Sequence, residues 1–309
     1  MRKLFFVLLA FTAASVLYCC KGTQSADGTT LKFNLQKGEK YQYTIGMDMH
    51  MRQSMMGKDV DVNTNMDMGY TFEVTDDSAG WKKVNATVSK IAMKMDAGGM
   101  QVNFDSDNPG AADSTGPMGK VGKIFEAMKG GTFGFTINEK GEVGSVTGIR
   151  EMMEHAVSTL NDPTATAGIM AGMSKSFDEE QFKQNLQQSF GVYPEKPVKV
   201  GDSWHKTMMM NNAGMVLKMD NTYTLESVEN NNANVKMSSK ISSGSDSTQL
   251  MGMQMDIDGT MEGTMQFDIA SGMPIKGQSN MQMNMKVKNQ GVEIPMKMTF
   301  TMNITGKKL

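Results

Sequence analysis

The chain has 309 residues, of which 31 are basic and 33 acidic, for a net charge of −2 at pH 7. With no basic cluster it lacks the electrostatic footprint of a nucleic-acid-binding protein, so nucleic acid is not an expected partner. Its two cysteines, Cys19 and Cys20, stand side by side near the start, so the body can hold no disulfide framework, thiolate metal site or cysteine nucleophile and must rely on its core.

Residues 1–19 come first. "MRKLFFVLLAFTAASVLYCCKG" sets Arg2 and Lys3 before an apolar run from Leu4 to Ala14, the layout of a secretion signal. The run leads into cysteine rather than into a small-residue cleavage pattern, and this resembles the lipobox of bacterial lipoproteins. Cys20 is the expected lipid anchor, with Leu17 three residues before it and Cys19 at the cut. Cys19 is the weaker choice, because it would place bulky Tyr18 there. Residues 20–30 then read as a tether. No later segment approaches the roughly 20 apolar residues of a membrane helix, so the N-terminal lipid is the expected membrane contact. The expected location is the bacterial cell envelope, facing the periplasm.

Residues 31–147 read as a first β half. Met47, Met49 and Met51 alternate with Asp48, His50 and Arg52, the period of a half-buried strand. Turn signals such as "DDSAG" (76–80) and "NEKG" (138–141) break the alternation into short antiparallel runs. The stretch 105–119 reads as a surface loop. It starts like a calcium loop but carries Gly116 where the closing glutamate belongs.

In residues 148–195 the period changes. Ile149, Met152, Met153, Ala156, Val157 and Leu160 make one helical stripe. A second helix begins near Asp178, where acids face the positive end of the helix dipole, with Phe182, Leu186 and Phe190 as its stripe. The prolines of "YPEKPVKVGDSW" then return the chain to extended structure.

Residues 196–309 read as a second β half, because four segments of the first half recur in the same order: "KGEKYQYTIGM" as "VGDSWHKTMMM", "MDMGYTFEVTDD" as "MDNTYTLESVEN", "VSKI" as "SSKI", and "GTFGFTINEKG" as "GTMQFDIASG". This alignment makes Tyr41 equivalent to Trp204, Tyr70 to Tyr223, Phe135 to Phe267 and Ile137 to Ile269. The expected fold is mainly β (α+β): a duplicated antiparallel β-meander forming a large curved sheet or open barrel, with a helical insert between the two halves.

The second half ends in methionine runs. Met281, Met283 and Met285 share a strand face with Val287, and Met296, Met298 and Met302 share theirs with Phe300 and Ile304. Thioethers converging from several strands would select Cu(I). Against that, the 35 methionines are spread through the whole chain, and the three histidines, His50, His155 and His205, lie far apart in sequence. Met is also unbranched and polarizable, so a face lined with it repacks around differing apolar partners. These six methionines are therefore the candidate apolar face or ligand contacts, for a hydrophobic small molecule or lipid. No resident metal or cofactor is expected.

Catalysis is read by subtraction. The sequence has no G-x-S-x-G elbow, H-E-x-x-H or glycine-rich phosphate loop. His205 in "DSWHK" aligns with Gln42, so the repeat does not require an imidazole there. The expectation is a non-enzymatic binding protein, with a Cu(I)-binding protein or a purely structural envelope lipoprotein as the alternatives.

The segments "LKFNLQKGEKYQYTIGMDM", "MDMGYTFEVTDD", "FDSDNP", "GTFGFTINEKGEV" and "PVKVGDSW" together resemble an uncharacterised family of Met-rich bacterial envelope lipoproteins, a domain of unknown function. The resemblance implies location and fold class. It brings no catalytic or binding residues with it.

Overall fold

The computed structural model describes residues 28–55, 58–98, 100–108, 116–162, 164, 166, 170, 178–212, 215–244, 249–250, 253–289 and 292–309. Residues 1–27, with Cys19 and Cys20, lie outside them. The described chain is mainly β. Its first half holds β1 (Lys40–Met55), β2 (Lys58–Ser78), β3 (Trp81–Ala97), β4 (Met100–Asp105), α1 (Gly116–Met128), β5 (Thr132–Asn138) and β6 (Val143–Thr147). Helices α2 (Ile149–Ser158) and α3 (Glu179–Phe190) follow. The second half holds β7 (Ser203–Asn212), β8 (Met215–Glu229), β9 (Asn232–Ser243), β10 (Gln249–Leu250), β11 (Met253–Asp268), β12 (Pro274–Asn289) and β13 (Val292–Lys308). Among the described residues no helix is long and apolar enough to cross a membrane.

All thirteen strands join one antiparallel sheet in the order β6-β5-β3-β2-β1-β13-β12-β11-β9-β8-β7, with β4 beside β3 and β10 beside β11. The period-two pattern sets its faces: burial alternates from Lys82 to Val88 in β3 and from Ala233 to Ile241 in β9. The order 6-5-3-2-1 recurs as 12-11-9-8-7, and β13 lies between the copies, paired with β1 on one side and β12 on the other.

The copies match down to individual hydrogen bonds. Gly38 and Gly201 have φ of 84° and 95°, a left-handed conformation that glycine adopts without strain. Their amides donate to Val74 O and Leu225 O, each at 2.8 Å. Just before them, Gln36 N donates to the Glu39 carboxylate and Lys199 N to that of Asp202, again at 2.8 Å. The β2–β3 hairpin turns through Ala79 and Gly80 and the β8–β9 hairpin through Asn230 and Asn231, all four at positive φ. A ladder irregularity follows Val74 in one half and Leu225 in the other.

This geometry corrects the sequence alignment. Tyr41 opposes Phe72 and Trp204 opposes Tyr223, so Tyr41 does match Trp204, but Tyr223 is the counterpart of Phe72 rather than of Tyr70. Ile137 opposes Lys82 and Phe267 opposes Ala233, so Phe267 matches Ile137 rather than Phe135, and Ile269 falls beyond the end of β11. A slip of two residues keeps every side chain on its face. Composition therefore cannot detect it, and turn geometry decides.

Helix α1 is the second correction, since the stretch read as a loop to residue 119 turns helical at Gly116. Gly119 and Gly122 obscure the signal, because glycine is a poor helix former. Both are buried, along with Ile124 and Met128, where α1 meets α2 and β3. The helix of residues 149–158 buries its predicted stripe from Ile149 to Val157.

Two devices complete the interior. Residues 29–35 form a strap across one end of the sheet: Thr29 bridges to Val198, Phe33 N donates to Glu139 O at 2.9 Å, and Asn34 N donates to Ser271 O at 2.8 Å. Leu31, Phe33 and Leu35 are buried beneath it. The sheet path ends at β6 and β7, which do not pair with each other, and α3 packs against both. The sheet is an open barrel with a helix in its seam.

Candidate ligand-binding site

Helix α3 builds the site. Asp178 caps it, its Oδ1 accepting from Glu180 N at 3.0 Å and Gln181 N at 3.2 Å. Gln187 ties it to the open edge of the sheet: Val143 N donates to Gln187 Oε1 at 2.8 Å, and Gln187 Nε2 donates to Gly141 O at 3.1 Å. One amide side chain thus supplies the donor and acceptor that a neighbouring strand would have offered.

The apolar stripe of α3 faces inward. Phe182 meets Phe133 edge-on with centroids 5.0 Å apart, and Phe190 stacks on Phe135 at 5.7 Å and meets Phe72 at 6.1 Å. Beneath the helix lies a cavity of about 180 Å³, walled by Tyr43, Ile45, Met68 and Tyr70 from β1 and β2, and by Phe133 and Leu186. Asn185 and Ser189 stand at its edge. Burial pushes the Tyr70 phenol up to about 12 and raises that of Tyr43 as well, with Tyr41 and Tyr70 adding to the latter. Both phenols are neutral at physiological pH. The cavity wall contains no other titratable group, so it is suited to holding an apolar molecule rather than to acid–base chemistry.

The other face of α3 looks onto a groove of about 600 Å³ between the helix and β7, lined by Lys183, Gln187, Tyr193, Lys206 and Met208 among others. The helix therefore separates an apolar cavity on the first-half side from a polar groove on the second-half side.

A family model of proteins of unknown function, DUF6263, matches residues 79–274. The chain belongs to this family. The match runs from the β2–β3 turn to the start of β12, and so takes in part of each β half of the DUF6263 protein and the helices between them. No curated protein matches the chain. Among solved structures it is similar to a protein described as exported, with a YmcC-like fold, from Bacteroides fragilis, at 10% identity over 88% of this chain and 97% of that one, with a TM-score of 0.21. It is also similar to the β domain of the Bordetella autotransporter BrkA, at 6% identity over 85% and 98%, with a TM-score of 0.22. Overlaps this loose carry no argument about function.

In this DUF6263 protein the six candidate methionines all point to the interior face. Met283 and Met285 are buried, and Met281, Met296, Met298 and Met302 are half-buried against the core. None of them lines the cavity or the groove; Met68 and Met208 do. Cys20 and Cys19 lie outside the described residues. His205 is exposed, with Nδ1 2.9 Å from Thr222 Oγ1, and His50 Nε2 lies 3.2 Å from Asp61. Among the described residues no group of three or more His, Cys, Asp or Glu is placed to hold a metal ion. Sequence reasoning passed over Tyr43, Tyr70 and Phe133 because an aromatic on a strand face reads as core. It did find the stripe of α3, which supplies the roof.

Proposed function

We propose that this DUF6263 protein is a non-enzymatic, lipid-anchored protein of the bacterial cell envelope that holds a hydrophobic ligand, a small molecule or lipid chain, inside its open barrel. The observation that carries the reading is the cavity beneath α3. This pocket, open on one side, leaves about 180 Å³ between aromatic rings and a thioether, room comparable to the apolar cavity of about 150 Å³ known to take benzene. The roof is a single helix on an unpaired edge, a natural door, and the methionine lining allows the interior to repack around a longer chain. The leader and Cys20 support the anchor and the periplasmic location.

A second reading, Cu(I) binding by thioethers, is favoured by one observation: Met51, Met298 and Met283 lie directly opposite one another on β1, β13 and β12. Native mass spectrometry of the protein purified from its own host separates the readings. A lipid or other apolar adduct is the expected result. Bound copper would establish the second reading, and neither would leave a structural envelope component. Cys20→Ser is expected to move the protein out of the membrane fraction; if it stays, the anchor is wrong.

A further inference from the structure

The duplication gives the cavity a counterpart on the other side of α3, with different chemistry. In the first half Tyr43, Tyr70 and Val88 form one row across β1, β2 and β3. The equivalent row in the second half is Lys206, Asn221 and Ser239 across β7, β8 and β9. Tyr43 and Tyr70 wall the apolar cavity, and Lys206 walls the groove. The polar row thus starts at the groove and runs inward to positions flanked by Met219, Met237 and Met261.

That row is out of place in a core. Asn221 is 2% exposed and Ser239 6%, and among the described residues Asn221 Oδ1 and Ser239 Oγ make no hydrogen bond. Ser279 on β12, 3% exposed, leaves its Oγ unpartnered on the same interior face. A buried polar atom without a partner has lost its water and gained nothing, which native cores rarely tolerate. At the groove end, Lys140, Lys183, Lys196 and Lys206 face Glu142 and Glu195. Lys206 Nζ reaches Glu195 only at 3.8 Å, Lys183 reaches Glu180 at 3.6 Å, and Glu142 accepts from Asn138 Nδ2 at 2.5 Å. Lys140 and Lys196 hold no ion pair among the described residues. The Nε2 of Gln188, also on the groove, is buried without a partner.

We propose that the groove between α3 and β7 is a headgroup site for a single-chain anionic amphiphile. Lys206 meets the charge of a carboxylate or phosphate, the unpartnered donors Gln188 Nε2 and Ser239 Oγ give it hydrogen bonds, and the chain lies along the methionine-lined wall. The inference rests on the reading that the protein holds an apolar chain, and it places a charged head on the groove side of α3, apart from the first-half cavity.

The test is displacement of the neutral fluorophore N-phenyl-1-naphthylamine from the full chain by oleate, by oleyl alcohol with the same chain, and by inorganic phosphate alone. Oleate is expected to bind at least tenfold more tightly than the alcohol, phosphate to displace nothing, and Lys206→Met to bring oleate down to the level of the alcohol. Equal binding of oleate and alcohol overturns the headgroup site and leaves the apolar reading intact. If neither binds, both fall. If phosphate competes with oleate as strongly as oleate binds, the groove is a site for free anions and the amphiphile is wrong. Ser239→Ala is expected to raise the melting temperature while lowering the preference for oleate. A lower melting temperature with the preference unchanged would make the row structural and overturn the proposal.

Discussion

The two halves share turns, bulges and strand order, yet they fill their interiors differently. The first packs Tyr43, Tyr70, Phe72, Phe133 and Phe135 against one another and lays α3 over Phe72, Phe133 and Phe135. The second lines the same face with Met219, Met237, Met261, Met283 and Met285 and sets Asn221 and Ser239 among them. A duplicated backbone thus constrains where a side chain points, because pleat and register are fixed by turns, but leaves what it carries free to diverge. Equivalent positions became a wall of rings in one copy and a polar row in the other.

The largest expected effect on this contrast is alkaline unfolding. Burial raises the phenols of Tyr41, Tyr43, Tyr70, Tyr193 and Tyr223 above their ordinary value of 10.0. The unfolded chain therefore loses these protons first. Stability is fully present below pH 10 and falls as pH rises toward the folded values, by about 1.4 kcal/mol per phenol for each pH unit. Four of the five lie in the first half or in the segment joining the halves. Circular dichroism and phenolate absorbance followed together from pH 8 to 12 should show one cooperative transition, with phenolate appearing as structure is lost. Phenolate appearing gradually while the fold persists would contradict the burial.

Next in size is a matched pair at equivalent positions. Phe72 contacts Tyr43, Tyr70, Phe135 and Phe190, whereas among the described residues Tyr223 makes one ring contact, stacking on Trp204 at 5.5 Å. Phe72→Ala should cost about 3–5 kcal/mol in urea unfolding and weaken apolar-probe binding, because it removes a wall of the cavity. Tyr223→Ala should fall at or below the lower end of that range and leave the first-half cavity unaffected. Equal effects on probe binding would show that the halves do not act separately.

A smaller effect tests the seam. Gln187→Ala removes both side-chain bonds to the β6 edge and leaves Val143 N and Gly141 O to water, at about 1–3 kcal/mol. Hydrogen exchange at Val143 should accelerate while exchange in β3 and β9 does not. Smallest of all is the triple change of Met281, Met283 and Met285 to Leu, which conserves volume and should cost under about 1.5 kcal/mol per site. Met283→Gln places an amide in the same wall and should cost more than the Leu change. If the Leu triple mutant abolishes a submicromolar Cu(I) site measured by calorimetry in the parent, the second reading replaces the first.

Much of this molecule was legible in its residues. Period two marked the strand faces, i+3 and i+4 spacing marked α2 and α3, and the recurring segments revealed the duplication. All three are local signals, set by how consecutive side chains leave the backbone. The candidate site was legible only in part, as the stripe of α3. Its aromatic walls looked like any core, and Lys206, Asn221 and Ser239 looked like ordinary strand residues.

What the sequence determined by itself is therefore a cysteine-free body built from two copies of one meander, with each side chain assigned a face. Only the tertiary structure decided the two-residue register between the copies, the helical turn at Gly116, the place of β13 between β1 and β12, and the closing of the seam by α3. The reason is physical. A slip of two residues preserves every face, and partners such as Tyr41 and Lys308 or Val143 and Gln187 meet only once strands remote along the chain have paired.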